Sequence, residues 1–239
     1  MTVDIFIPCF IDQFYPETGL NMLRILEKLG VDAHYNKRQT CCGQVAFNAG
    51  FWDEAKAIGE KFIKSFNNNR LVVTPSASCA SMVRNNYNEL FYNTALHIEY
   101  RQLQKNIIEF TDFLVNVLKV NDLNAIFNHV ATYHDSCAAL REYGIKAEPR
   151  ALLQHVRGLE LREMKHTHEC CGFGGTFSVK HEAIAVAMAE QKVGDALATG
   201  AEYIISTDAS CLMHLEGYIK KHKLQLKTAH IVDVLATGC

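Results

Sequence analysis

The order of the cysteines constrains this chain more than any other feature, because it occurs twice. Cys9 is followed by Cys41 and Cys42, with Gly43 directly after them, and then by Cys79. Cys137 is followed by Cys170, Cys171 and Gly172, and then by Cys211. The steps are 32 and 37 residues in the first half and 33 and 40 in the second. The flanks repeat as well: "RLVVTPSASC" ends at Cys79 and "EYIISTDASC" at Cys211, while "VDIFIPC" precedes Cys9 and "VATYHDSC" precedes Cys137. Agreement in order, spacing and flanks defines an internal duplication, so both halves are expected to fold alike.

Each half alternates short apolar runs with helical patterns. In the first, "TVDIFIP", "VDAHYN" and "RLVVTP" read as strands. "ETGLNMLRILEKLG", "DEAKAIGEKFIKSF" (with Asp53 as its N-cap) and "SCASMVRNNYNELF" read as helices. In the second, "VATYHD", "LELREM" and "YIIST" read as strands. Helices are expected near "PRALLQHV", over "HEAIAVAMAEQKVGDALATG", from about Ser210, and in the tail "HIVDVLATGC". Residues 97–119 read as extra helix. Strand–helix alternation implies parallel sheets with right-handed helical crossovers. The expected fold is therefore α/β: two Rossmann-like lobes with parallel sheets, related by a pseudo-twofold. The first lobe spans 1–95, a helical connector 96–125 and the second lobe 126–239, with no low-complexity linker between them.

Composition narrows the function. About half of the 239 residues are hydrophobic and the formal net charge is -2, too balanced for a nucleic-acid-binding surface. No apolar run approaches a membrane span, and "MTVDIFIPCF" lacks the features of a signal peptide, so a cytoplasmic protein is expected. Nine cysteines in a long chain without export features point to metal or redox chemistry rather than to a disulfide framework.

Every repeated cysteine follows an expected strand. In a parallel sheet these positions share the carboxyl edge, where open α/β folds bind ligands. Cys9, Cys41, Cys42 and Cys79 would thus converge in one lobe, and Cys137, Cys170, Cys171 and Cys211 in the other. Four thiolates suit an iron–sulfur cluster or zinc. Adjacent cysteines diverge, which favours a cluster several ångströms across over a single small ion. The plain alternative is a set of buried structural thiols.

These residues resemble the cysteine-rich, or CCG, domain found in heterodisulfide reductase and in the iron–sulfur subunits of glycolate oxidase and anaerobic glycerol-3-phosphate dehydrogenase. "HECCGFGGTFSVK", "VRGLEL" and "EKLG" make the whole chain most similar to the lactate-utilisation protein A, or YkgE-type, family. The resemblance implies one or two iron–sulfur clusters, of the 4Fe–4S type, held by the eight cysteines. It also implies electron transfer in L-lactate oxidation to pyruvate, with two partner subunits, one carrying ferredoxin-type clusters. In the CCG domain of heterodisulfide reductase the last cysteine often begins a CxxC pair. Here Met82 and His214 stand at the fifth position, so each set has four cysteines and His214 is a candidate extra ligand. Zinc in one or both lobes, giving a zinc-stabilised assembly module, and thiol–disulfide exchange by the adjacent pairs are the other readings.

Further features carry weaker signals. The glycine-rich 172–175 stretch reads as a loop passing close to a cluster, with anion binding as the alternative. His134 and His168, just before Cys137 and Cys170, could ligate or tune a metal. Trp52 is expected to pack in the core at a helix start, and Cys239 lies outside both repeats.

Overall fold

Strand β1 (Thr2–Ile5) pairs in parallel with β2 (Asp32–Tyr35) on one side and β3 (Val72–Thr74) on the other, and β3 pairs with β4 (Ile107–Glu109). The computed structural model describes all residues, 1–239. A second sheet follows: β5 (Val130–Tyr133) lies between β6 (Glu160–Leu161) and β7 (Tyr203–Ser206), and β7 pairs with β8 (Lys227–His230), again all parallel. The strand orders, β2-β1-β3-β4 and β6-β5-β7-β8, are the same order written twice. The protein is therefore an α/β molecule of two Rossmann-like lobes, as the repeat implies.

The central strands explain the apolar runs. Every residue of β3 and all but the first of β1 are buried, because helices cover both faces of the sheet. The edge strand β2 is mostly exposed and accordingly reads Asp-Ala-His-Tyr. Crossover helices Pro16–Lys28 and Trp52–Ser65 join the first three strands. Ala147–Leu153 and Glu182–Ala198 do so in the second lobe, and Ala209–Lys221 joins β7 to β8. The largest core belongs to neither lobe alone. Val3, Ile5, Met22 and Ile25 join Tyr133, Leu152, Ile231 and Leu235 in one cluster of 26 buried residues. Burying that surface between the halves fixes how their carboxyl edges face each other. No helix is long and apolar enough to cross a membrane.

The structure corrects the sequence reading in four places. Residues 97–119 are not continuous helix. Helix His97–Asn106 ends where β4 begins, and β4 is the fourth strand of the first sheet, so the expected helical connector 96–125 contributes to the first lobe's sheet. A three-residue buried strand has no room to show a period of two, and its apolar residues merge with the helical pattern around them. The polar strand β8 likewise precedes the closing helix Ile231–Ala236. Asp53 does not cap its helix; Phe51 holds the N-cap position and Asp53 lies in the first turn. Trp52 is 54% exposed, stacked on Phe47 with ring centroids 5.7 Å apart, because its position on the first turn faces away from the sheet.

The two missed strands extend the duplication. Glu109 ends β4 and accepts the backbone N–H groups of Thr111 and Asp112 at the start of a helix. His230 ends β8 and its Nδ1 accepts the N–H of Val232 in the same way. "EFTDFL" and "HIVDVL" are thus equivalent strand-to-helix corners.

Candidate metal centres

The cysteines sit where the strands deliver them. Cys9 opens helix Cys9–Phe14 after β1, and Cys79 lies in helix Ala77–Ser81 after β3. Cys137 precedes the π-helical turn Ala138–Tyr143 after β5, and Cys211 lies in Ala209–Lys221 after β7. The two CCG turns follow β2 and β6. All eight line a single cleft between the lobes, together with Ser76, Ser136, Asp208, Phe10 and Phe173. The Sγ atoms of Cys9 and Cys41 are 3.9 Å apart, and those of Cys137 and Cys170 are also 3.9 Å apart. Phe10 and Phe173 meet edge to face at 5.4 Å across the lobe boundary.

The glycine of each CCG has a local reason. Gly43 has φ +86° and Gly172 φ +92°, a region that disfavours side chains. That turn sends the Gly43 N–H to Cys41 Sγ at 3.3 Å and the Gly172 N–H to Cys170 Sγ at 3.4 Å. A Cβ on Gly172 would also meet Ala185 O at 2.6 Å, so the loop lies directly on helix Glu182–Ala198. Close packing therefore accounts for this glycine without an anion.

The thiols are electrostatically coupled. Hydrogen bonds from Cys42 and then Cys9 hold Cys41 down at about 3, and those from Cys137 and Cys171 hold Cys170 down at about 2. The same contacts raise Cys9 and Cys42, and likewise Cys137 and Cys171, above the ordinary thiol value. Cys211 falls to about 7, chiefly through its hydrogen bond with Cys171. In each lobe one sulfur is thus favoured as the anion by hydrogen bonds from its neighbours, and binding a metal to thiols releases protons. Soft sulfur donors converging on one edge fit thiophilic iron or zinc.

The histidines separate. His134 is fully buried and neither ring nitrogen makes a hydrogen bond of good geometry; one of them lies with the Sγ atoms of Cys171 and Cys211, all within 4.8 Å of one another, and its contact with Cys211 helps to lower that thiol. His214 is not among the residues lining the cysteine cleft. Its Nε2 is 3.2 Å from Ala185 O, and it lines a separate cavity with Phe173 and Tyr218. Three residues beyond Cys211, it sits about 4.5 Å further along the helix axis. His168 is exposed and offers only its carbonyl, to Arg141. Cys239 is exposed.

Sequence reading missed Asp208. Its buried carboxylate accepts from Ser76 Oγ at 2.9 Å, Ser78 Oγ at 2.8 Å and Ser78 N at 3.1 Å, all in the first lobe, and from Ser136 Oγ in its own. The repeated flanks "SASC" and "DASC" were the available signal, since an aspartate replaces a serine at that one place.

Two parallel-sheet lobes that present four cysteines each to a shared cleft define a duplicated, cysteine-rich protein whose clustered thiols suit a metal or an iron–sulfur cluster. The cysteine-rich domain, CCG, matches twice, over residues 3–84 and 131–216. The chain belongs to this CCG family and carries its domain in tandem. It is 43% identical over 237 residues to Lactate utilization protein A 1 of Bacillus mycoides (strain KBAB4), covering 98% of this chain and 96% of the relative. It is 40% identical over 244 residues to a Lactate utilization protein A 2 of Bacillus cereus, covering 100% and 99%. Among solved structures, a hypothetical protein from Helicobacter pylori superposes with a TM-score of 0.65 at 14% identity. That match covers all of this chain and 49% of the other, about half its length, and speaks for the fold alone.

Proposed function

We propose that this chain is an iron–sulfur electron-transfer subunit of a cytoplasmic complex that oxidises L-lactate to pyruvate. The observation that carries the reading is the pair of four-cysteine sets at equivalent sheet edges, facing one cleft. Cys9, Cys41, Cys42 and Cys79 would hold one 4Fe–4S cluster, and Cys137, Cys170, Cys171 and Cys211 the other. Bound there, such clusters supply one-electron exchange. The protein's part is to fix the sulfurs, to exclude water with Phe10 and Phe173, and to aim the Gly43 and Gly172 N–H groups at ligand sulfur. The lactate assignment is supported by full-length relatives named for lactate utilization.

Two partner subunits complete the proposal, one with ferredoxin-type clusters that exchange electrons at the cleft. Val45 lines the cleft and is exposed, and exposed Phe14 and Trp52 stack on Phe10 and Phe47 beside it. An apolar rim of this kind suits a protein partner.

Protein purified without oxygen should be brown, absorb near ~400 nm and carry about four irons per occupied set. Electron paramagnetic resonance with iron and zinc quantification tests this directly. Colourless, iron-free protein after anoxic reconstitution would overturn it. A second reading, zinc in the second lobe, is favoured by the closeness of His134, Cys171 and Cys211, and stoichiometric zinc from iron-replete cells would establish it. Thiol–disulfide exchange by the adjacent pairs has less support, because it gives no reason for Cys9 to lie 3.9 Å from Cys41 or for Cys79 to contact Cys42.

A further inference from the structure

We propose that His134 donates a ring nitrogen to the metal centre of the second lobe, making that centre chemically different from the all-sulfur centre of the first. The inference rests on the reading that the cysteine sets bind metal, but adds a ligand that the cysteine pattern does not contain.

Three observations carry it. First, His134 is held rigidly. Its backbone N–H donates to Ile205 O at 2.8 Å and its carbonyl accepts from Ser206 Oγ at 3.0 Å, at the carboxyl end of β5. Second, its ring is fully buried, yet neither Nδ1 nor Nε2 makes a hydrogen bond of good geometry, and its one polar interaction there is a loose contact with the Cys211 sulfur. Burying a polar group without a good hydrogen bond is costly. The first lobe shows that an apolar ring fits the same place: Phe6 there makes the matching bond, N–H to Val73 O at 2.9 Å, and is also fully buried. An imidazole so poorly bonded at such a position calls for a stronger partner. Third, that partner is at hand. A ring nitrogen and the Sγ atoms of Cys171 and Cys211 lie within 4.8 Å of one another. A tetrahedral ion with sulfur bonds of about 2.3 Å spaces its ligands about 3.8 Å apart, within reach of small side-chain adjustments.

The vacant fifth cysteine position of each repeat therefore does not decide the donor count in the second lobe. The extra donor comes from the end of β5 rather than from His214. An imidazole is a harder and less electron-rich donor than a thiolate, so it lowers the negative charge on the centre and raises its potential relative to an all-thiolate site.

The test is X-ray absorption at the edge of the metal the protein retains, on the full chain prepared without oxygen. Cys41→Ser is used to isolate the second-lobe centre and the double substitution Cys170→Ser/Cys171→Ser the first. The expected result is imidazole scattering in Cys41→Ser protein and sulfur scattering alone in Cys170→Ser/Cys171→Ser protein. His134→Phe, which installs the first lobe's residue, should abolish the imidazole signal, whereas His214→Ala should leave it intact. Should His134→Phe fail to fold, pulsed paramagnetic resonance on the otherwise native chain replaces it, comparing 14N- with 15N-histidine protein before and after His214→Ala. A sulfur-only second centre, or an imidazole signal that survives His134→Phe or disappears with His214→Ala, overturns the inference while leaving metal binding by the cysteines standing. Absence of any retained metal in the unsubstituted protein overturns both.

Discussion

Phe6 and His134 occupy the same place in the two lobes, one at the end of β1 and the other at the end of β5. The same exchange recurs one layer away. Gly43 rests on Ala55 and Gly172 on Ala185, which aligns helix Trp52–Ser65 with helix Glu182–Ala198 and places Lys192 where the first lobe has Phe62. In the first lobe Phe6 and Phe62 meet edge to face at 4.7 Å, within a core that also holds Phe66, Tyr87 and Phe91. In the second, the corresponding core has no fully buried aromatic ring; Ala189, Val193, Ile204 and Leu215 fill it. Lys192 is buried there and donates to His166 O at 2.6 Å. Ile7 and Asp135 form a third such pair, with Asp135 held by Arg150 at 2.7 Å, and Ser76 and Asp208 a fourth. Duplication thus preserved the backbone, the strand order and the sulfur positions, while the surroundings of the two cysteine sets diverged. One set stands against aromatic rings and the other against charged and hydrogen-bonding groups. Because hydrogen bonds and nearby charge set the potential of a metal–sulfur site, centres bound at the two proposed sites would be poised differently.

The largest effects should come from deleting one site at a time. Cys41→Ser and Cys170→Ser should each lower the bound metal by up to half and leave the other lobe loaded, since each removes the sulfur its neighbours favour as the anion while all four cysteines remain opposite. Metal analysis reads this outcome. Loss of all metal in either variant would show a single shared centre and erase the contrast between lobes. If both hold, redox titration of the survivors should give the higher potential to the second lobe, present in Cys41→Ser protein.

Packing comes next. Phe62→Ala should cost about 3–5 kcal/mol, because it opens a cavity against Phe6 and Phe66. Lys192→Met should change stability by about 1 kcal/mol or less, since it removes a buried cation along with its desolvation cost. Chemical denaturation of both variants measures the contrast, and equal losses would mean that the second core depends on Lys192 as the first does on Phe62. At the lobe boundary, Asp208→Ala should cost on the order of 3 kcal/mol, since it strands the hydroxyls of Ser76, Ser78 and Ser136. Ser76→Ala, which loses the cap on Cys79 N and one bond to Asp208, should cost about 1 kcal/mol.

The repeat of cysteines and flanks was enough to read the α/β class, the six strands β1–β3 and β5–β7 and the convergence of sulfurs, because each of those strands is followed shortly by a repeated cysteine. Strands β4 and β8 carry no such mark. They end in Glu109 and His230, whose likeness lies in capping geometry rather than in residue type. His134 was visible as a histidine near a cysteine, but so were His168 and His214. What distinguishes it is the burial of both ring nitrogens without a hydrogen bond of good geometry, a property of packing that no spacing encodes. Lys192 was hidden for the opposite reason: in an amphipathic helix a lysine reads as solvent-facing, and only alignment with Phe62 reveals that it points inward.

The smallest predicted effect opposes Glu109 to His230, the two equivalent corner residues. Burial is the main cause in both cases, and it drives them in opposite directions. Glu109 is raised from 4.5 to about 8, with the Asp208 carboxylate adding to the rise and the bonds from Thr111 and Asp112 opposing it. His230 is lowered, with Asp233 and Asp208 opposing the shift, and its Nε2 lies 3.0 Å from Thr207 O and 3.1 Å from Pro75 O. A carboxyl whose folded pKa is raised binds its proton more tightly when folded. Its contribution is complete below 4.5 and is lost as pH rises through about 8. A histidine whose folded pKa is lowered behaves oppositely, contributing above its ordinary value of 6.5 and losing that contribution as pH falls. Glu109→Gln should therefore flatten the alkaline side of a stability–pH profile and His230→Gln the acidic side, each leaving the other limb in place. If both substitutions altered the same limb, the two corners would share one titration, and the opposition between the lobes would end at the cysteines instead of extending to the far edge of each sheet.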